Sequence, residues 1–273
     1  MPELPEVQAH AERLTAELAG ATLSRFEPLS FTVLRTYAPD PAEAVGSVLE
    51  EIGRRGKLLL LRFARLTFVV HPMQGGRLRP DPKQSAKPRN GIARWRFDDG
   101  RALLLTEPGT ERKAGVWVVA GDPLTQTPLD DLGPEVDQLD RDELAEVLAG
   151  ASMRVHNLLR DQHLVAGVGR RLANEICHRA RLSPFASAPK LTGDEVDRLH
   201  RAIGEVIAES LEFERAQDEM VGSAERPGAV HNRIGEDCPV CGDEVRAVEY
   251  RAYTIAYCPT CQTGGKVLAD NTT

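Results

Sequence analysis

Apolar residues at Val7, Ala11, Leu14 and Leu18 recur at three- and four-residue steps, the period of a helix with one buried face, and Gly20 closes the run. From Thr22 to Trp117 the period shortens to that of strands separated by Gly, Pro and Asp turns. Leu58 to Phe63 is an apolar run interrupted by Arg62, and Leu66 to Val70 is a second. Arg94 to Phe97 alternates before the Asp98-Asp99-Gly100 turn leads into Leu103-Leu104-Leu105. Short strands at this density predict a two-layer β-sandwich or a flattened barrel. Leu132-Gly133-Pro134-Glu135 marks a boundary. Beyond it the pattern turns helical over Arg141 to Leu148, Val155 to Leu159, Arg171 to Ala180 and Asp194 to Phe213. The expected class is α+β, with a polar linker from Gly222 to Glu236 feeding the last segment.

That last segment carries Cys238-Pro-Val-Cys241 and, sixteen residues on, Cys258-Pro-Thr-Cys261. A two-residue gap lets both sulfurs of a pair face one point, and Glu244 to Tyr257 is long enough for a hairpin that brings the pairs together. The pattern predicts one structural zinc ion on Cys238, Cys241, Cys258 and Cys261, whose binding supplies folding free energy on the order of 10 kcal/mol. Two disulfides fit less well, because no secretory signal opens the chain and the fifth cysteine, Cys177, lacks a partner. Its place beside Ile176 on a helix predicts packing. A four-sulfur site has no open position, so any chemistry lies elsewhere.

With 273 residues, 41% of them hydrophobic, the chain can bury one large core or two ordinary ones. No apolar run approaches the ~20 residues of a membrane span, so a soluble, cytoplasmic protein is expected. The net charge of -7 hides a segregation: residues 51–96 hold twelve Lys or Arg against two acids, and residues 154–181 six against two. Two basic surfaces on an acidic body suit a phosphate-bearing partner.

Candidate chemistry opens the chain. Glu3 and Glu6 suit the positive end of a helix dipole and Pro5 a first turn, but helix chemistry gives no reason for Pro2 behind the initiator methionine. Once Met1 is removed, Pro2 is a secondary amine on a rigid ring, beside a carboxylate, and α-amino groups titrate near about pH 8, so a useful fraction can attack a carbon electrophile. Lys57 follows Gly53-Arg54-Arg55-Gly56 at a sheet end; by itself it reads as a surface residue. His71-Pro72-Met73-Gln74-Gly75-Gly76 is a tight loop whose tip could wedge into a nucleic-acid stack or pack beneath it. Val165-Ala166-Gly167-Val168-Gly169 precedes a helix and could expose amides to an anion.

Taken together, Pro2-Glu3-Leu4-Pro5-Glu6, Arg55-Gly56-Lys57-Leu58-Leu59-Leu60, Leu132-Gly133-Pro134-Glu135, Asp161-Gln162 with the Gly167-Val168-Gly169 turn, and the four cysteines resemble the formamidopyrimidine-DNA glycosylase / endonuclease VIII family along essentially the whole chain. The resemblance implies a bilobal, monomeric protein with damaged double-stranded DNA in its cleft and no membrane association. Residues 1–131 would form an N-terminal helix and β-sandwich, 132–224 a helix-two-turns-helix domain, and 225–273 a linker with a β-hairpin zinc finger. It also implies a base-excision-repair glycosylase with abasic-site lyase activity. The Pro2 nitrogen would attack C1′ of a flipped nucleotide, Glu3 would move protons, Lys57 would contact phosphate and Glu6 would support the site. His71, Met73, Gln74, Arg112, Lys113, Gly169, Arg170 and Arg251 would meet DNA. The chain departs from the family at several of these places. Arg170 stands where Asn is usual after the Gly-Val-Gly turn, and alignment puts Gln74, not Met73, at the wedge position. Glu107 to Gly115 replaces the usual second wedge loop, with Ala114 in place of an aromatic residue. Tyr253 takes the place of the finger arginine, with Arg251 two residues away. The competing readings are a paralogue that binds damaged DNA without turnover and, less compatible with the opening motif, a zinc-ribbon scaffold.

Overall fold

A computed structural model describes residues 1–222, 225–250 and 253–268. It divides into two compact units, one made of residues 1–2 and 6–131, the other of residues 3–5 and those from Leu132 onward.

In the first unit, helix α1 (Leu4–Leu18) sends Val7, Ala11, Leu14 and Leu18 into the core. Eight strands follow: β1 (Leu23–Pro28), β2 (Leu49–Arg55), β3 (Leu58–Phe63), β4 (Leu66–His71), β5 (Arg77–Pro80), β6 (Gly91–Phe97), β7 (Ala102–Thr106) and β8 (Gly115–Ala120). They form two antiparallel four-stranded sheets, ordered β2-β3-β4-β8 and β1-β6-β7-β5. Phe68 of one sheet packs against Trp95 and Phe26 of the other, with ring centroids 5.9 and 5.2 Å apart, so the layers meet as a sandwich. Leu59, Leu61 and Phe63 face this core, while Leu58 and Leu60 on the opposite face are buried as well, which explains the near-continuous apolar reading of β3. The β2–β3 turn needs a positive φ at Gly56 (56°), and that turn sets the start of the Lys57 strand. The basic run here is partly structural: Arg94 is buried and pairs with Asp81 at 2.8 Å and Glu27 at 3.3 Å.

The second unit holds α2 (Arg141–Gly150), α3 (Val155–Arg160), α4 (Arg170–Arg179) and α5 (Gly193–Arg215). Asp140 and Thr192 start α2 and α5 with capping boxes. Leu144, Leu158, Leu172, Ile176, Leu199 and Ile203 fill the core, and Cys177 joins them fully buried, its thiol pushed up to about 12 by burial. A hairpin of β9 (Arg246–Tyr250) and β10 (Tyr253–Tyr257) separates the cysteine pairs, with Cys238 and Cys241 in the loop before it and Cys258 and Cys261 at the start of α6 (Pro259–Thr263). The stretch expected as a linker is no loose tether where it is described. The buried Glu175 carboxylate accepts N–H bonds from Ala229, Val230 and His231 at 2.7, 3.1 and 2.7 Å, and Val230 is fully buried. Its polar composition predicted a linker, and a single carboxylate on α4 fixes part of it. Among the described residues no helix is long and apolar enough to cross a membrane.

Candidate active site and metal cluster

Glu3, only 4% exposed, is fixed by the start of α4. One carboxylate oxygen accepts the N–H groups of Gly169 and Leu172, and the other that of Arg171, each at 3.0 Å. A helix N-terminus has unsatisfied donors and a positive dipole end, and this one is filled by a carboxylate from the same chain. These amides were expected to face a phosphate; Glu3 takes them instead. Space explains the glycines. A Cβ on Gly169 would lie 2.4 Å from the Glu3 carboxylate, and one on Gly167 (φ 104°) would lie 2.8 Å from Leu4. Leu4 N–H also donates to Gly167 O at 2.9 Å. Gln162 clips the turn, donating to Arg160 O and Val168 O at 2.9 Å and accepting Gly167 N–H at 3.1 Å. Arg170, on the first turn of α4, is exposed.

In the first unit Pro2 is buried behind an exposed Met1, and Glu6 on α1 is fully buried. Lys57, between the positive-φ Gly56 and the first residue of β3, is 4% exposed, contrary to its surface reading. Its charge reaches His71 at the end of β4: burial first, and Lys57 second, lower the imidazole to about 4. His71 is therefore neutral at ordinary pH. Its Nδ1 accepts Met73 N–H at 2.9 Å, which leaves the Nε2–H as the donor available to a ligand. Met73 (φ 55°) packs back onto the core rather than projecting, and Gln74 is the exposed residue of the loop. Ala114 corrects a second expectation. It is buried in the core with its N–H bonded to Glu107 at 2.8 Å, so it occupies no wedge position; the exposed part of that loop is residues 108–113, including Arg112 and Lys113. Met73, Gln74, Gly75, Glu107, Pro108, Glu111 and Lys113 line an open hollow of about 510 Å³ between the two loops.

The cysteines converge. Cys241 Sγ is 3.4 Å from Cys258 Sγ, and Cys238 Sγ is 3.9 Å from Cys261 Sγ. Sulfurs around a tetrahedral metal–thiolate centre stand about 3.8 Å apart, so the set fits a metal ion. A fifth group was missed by spacing alone: His178 Nε2 lies 3.4 Å from Cys238 Sγ, and His178, Cys238, Cys258 and Cys261 have ligand atoms all within 4.8 Å. The signal lay in α4, where Arg171, Asn174, Glu175 and His178 form a polar stripe at helical spacing that stays buried. Tyr253, where the resemblance expects arginine, donates its O–H to Asn157 at 3.0 Å, and Arg251 lies outside the described residues.

A sandwich carrying an N-terminal helix, a helical unit with a carboxylate-filled turn, and a cysteine cluster on a hairpin define a class of DNA-repair glycosylases. The chain belongs to the formamidopyrimidine-DNA glycosylase family: residues 1–117 match the model of the formamidopyrimidine-DNA glycosylase N-terminal domain and residues 132–220 that of its H2TH domain. It is 34% identical to formamidopyrimidine-DNA glycosylase of Symbiobacterium thermophilum, covering 96% of this chain and 89% of that protein. It is likewise 34% identical to that of Thermus thermophilus, over 97% and 100%. An uncharacterized formamidopyrimidine-DNA glycosylase-like protein of Mycobacterium tuberculosis is 43% identical over 141 residues, 51% of this chain and 89% of that one. The fold matches Lactococcus lactis Fpg in complex with abasic-site DNA, with a TM-score of 0.86 at 21% identity over 96% of this chain and 99% of the other.

Proposed function

We propose that this protein is a bifunctional glycosylase and abasic-site lyase that excises a damaged, oxidised base and cuts the strand by β,δ-elimination. The observation that carries the reading is the anchored Glu3: three amides hold one carboxylate next in sequence to Pro2. After Met1 is removed, the Pro2 nitrogen forms a bond to C1′ as the base departs with the C1′–N bond electrons. The Pro2 N–H proton passes to the Glu3 carboxylate, which delivers it to the sugar ring oxygen as the C1′–O4′ bond breaks, so the ring opens and leaves an iminium. The iminium draws electrons from C2′, so loss of a C2′ proton expels the 3′ phosphate, and a second elimination expels the 5′ phosphate. Lys57 and the His71 Nε2–H hold phosphate oxygens, and Glu6 supports the site from α1.

Cys238, Cys241, Cys258 and Cys261 would hold one zinc ion, with the His178 ring as hydrogen-bond partner of the Cys238 sulfur. That ion stabilises the finger and, with all positions filled by sulfur, takes no part in the reaction. Damaged double-stranded DNA is the partner, and the protein acts as a monomer.

The test is borohydride trapping on duplex DNA carrying an abasic site, with Met1 removal confirmed by mass spectrometry. A covalent adduct that disappears in an N-terminally extended protein is expected. Protein that is processed and binds the DNA, yet gives no adduct, would instead be a damage-binding paralogue without turnover.

A further inference from the structure

Arg160 ends α3 with its guanidinium carbon 4.0 Å from the centre of the Tyr253 ring. The ring is held from two sides. Its O–H donates to Asn157 Oδ1 at 3.0 Å, and its face lies 21° from parallel to the His156 imidazole at a centroid distance of 6.4 Å. His156 is itself fixed: Nε2 bonds Asn174 Oδ1 at 3.0 Å, and Asn174 Nδ2 bonds His231 Nδ1 at 3.0 Å. Burial first, and the nearby Arg160 second, hold His156 down to about 3, so the stack beneath the guanidinium stays neutral.

Arg171, Arg179 and Arg226 of this unit are spent on the fold. Arg179 pairs with Glu205 and Glu209, and Arg226 with Glu214. Arg171 reaches Ser210. Among the described residues the Arg160 guanidinium has no carboxylate and no hydrogen-bond acceptor, only the ring. The neighbouring Asp161 is turned to its own loop, where it accepts His163 N–H at 3.0 Å. Arg160 is also indexed to the glycine turn, since Gln162 ties its carbonyl to Val168 O. The exposed Arg170 follows that turn and adds a second positive charge, close enough to lower His156 as well.

A half-exposed guanidinium on an aromatic platform keeps its N–H edges open to an anion and has already lost rotamer freedom. We infer that Arg160, positioned by Tyr253, binds a backbone phosphate of the nucleic acid, with Tyr253 acting through Arg160. This rests on the DNA reading above.

The experiment measures binding of full-length, metal-loaded protein to a duplex with a tetrahydrofuran abasic analogue, across about 50 to 200 mM salt. For Arg160→Gln the slope of log affinity against log salt should shrink by about 1, and affinity should fall about tenfold. Arg160→Lys should keep the slope. Tyr253→Leu should weaken binding about two- to fivefold, and Tyr253→Phe, which keeps the ring, should stay near wild type. In the Arg160→Gln background Tyr253→Leu should add nothing; an equal further loss would overturn the positioning role. Wild-type slope and affinity in Arg160→Gln would overturn the phosphate contact while leaving DNA as partner. A wild-type protein without salt-dependent binding would overturn both. If Arg160→Gln lost its native circular dichroism, Arg160→Lys and Tyr253→Leu would decide in its place: wild-type affinity in Tyr253→Leu would overturn the proposal.

Discussion

Two glycine-bearing turns, one in each unit, are built on opposite principles. The turn at residues 165–169 is saturated: Gln162, Glu3 and Leu4 take its polar groups, and the space over Gly167 and Gly169 is filled by side chains. The loop at residues 72–76 is pinned by the His71 Nδ1 bond to Met73 N–H and the Gly76 N–H bond to Pro72 O, and it borders an open hollow with Gln74 exposed. A group that must hold a proton-transfer geometry needs a rigid, fully bonded seat, whereas a group that meets varied bases needs room. The first turn supplies such a seat for Glu3 and the second such room beside Gln74.

Glu3→Gln should break the comparison most. The amide presents an N–H₂ to helix amides that need acceptors and removes the proton carrier of the proposed mechanism. Adduct formation and strand cleavage under single-turnover conditions should fall about 10²–10⁴-fold. Gly169→Ala attacks the same seat through space, because the new Cβ meets the carboxylate. Displacing Glu3 by about an ångström should cost about 10² in turnover with DNA affinity little changed; an unaltered rate would show that the seat is not rigid. Cys258→Ser should release the metal, read by a chromogenic chelator. It should also loosen the end of α4 and the turn after it, since His178 faces Cys238 and Gln262 Nε2 donates to Leu182 O at 2.9 Å.

The elements that were legible in the sequence are those with a period or a fixed spacing. α1, β3 and β4 follow from apolar repeats, and the paired cysteines from the two-residue gap. What was illegible depends on partners far along the chain. Nothing near Glu3 foretells that the N–H groups it accepts lie 166 to 169 residues away. Ala114 read as a truncated wedge because a loop without a period has no internal ruler; Glu107 pulling on its N–H decides its place. His178 and Glu175 were hidden in a helix rich in charged residues, though their spacing on one face was there to be counted.

Acid should affect the two units alike. Burial, the largest cause in each case, lowers His10 and His71 in the first unit and His231 in the second to about 4, and His156 to about 3. In the unfolded chain these rings titrate near about pH 6.5, so the unfolded state takes up protons first. The stabilisation is complete above about pH 6.5 and is lost as pH falls toward about 4. Both tryptophans lie in the sandwich, on β6 and β8, so their fluorescence in urea reports the first unit. His10 Nε2 meets Leu78 O at 2.6 Å, and His10→Gln can keep that bond without a titrating ring. It should flatten the fall in the urea midpoint between those pH values, and an unchanged slope would remove His10 from the account.

The smallest effect is expected at Gln74, and it tests the pliable half of the comparison. The side chain is exposed, and no hydrogen bond anchors it among the described residues. Its removal therefore leaves the fold unstrained, and Gln74→Ala should leave the urea midpoint unchanged, since surface substitutions stay within about 0.5 kcal/mol. On an abasic duplex the rate should fall by no more than about threefold, because a base that is already absent costs nothing to unstack. On a duplex with a paired damaged base, extrusion must be supported by whatever enters the stack, and the loss should be larger for that substrate alone. Equal rates on both substrates would show that Gln74 supports no extrusion. That task would then fall to the exposed stretch with Arg112 and Lys113 on the other side of the hollow.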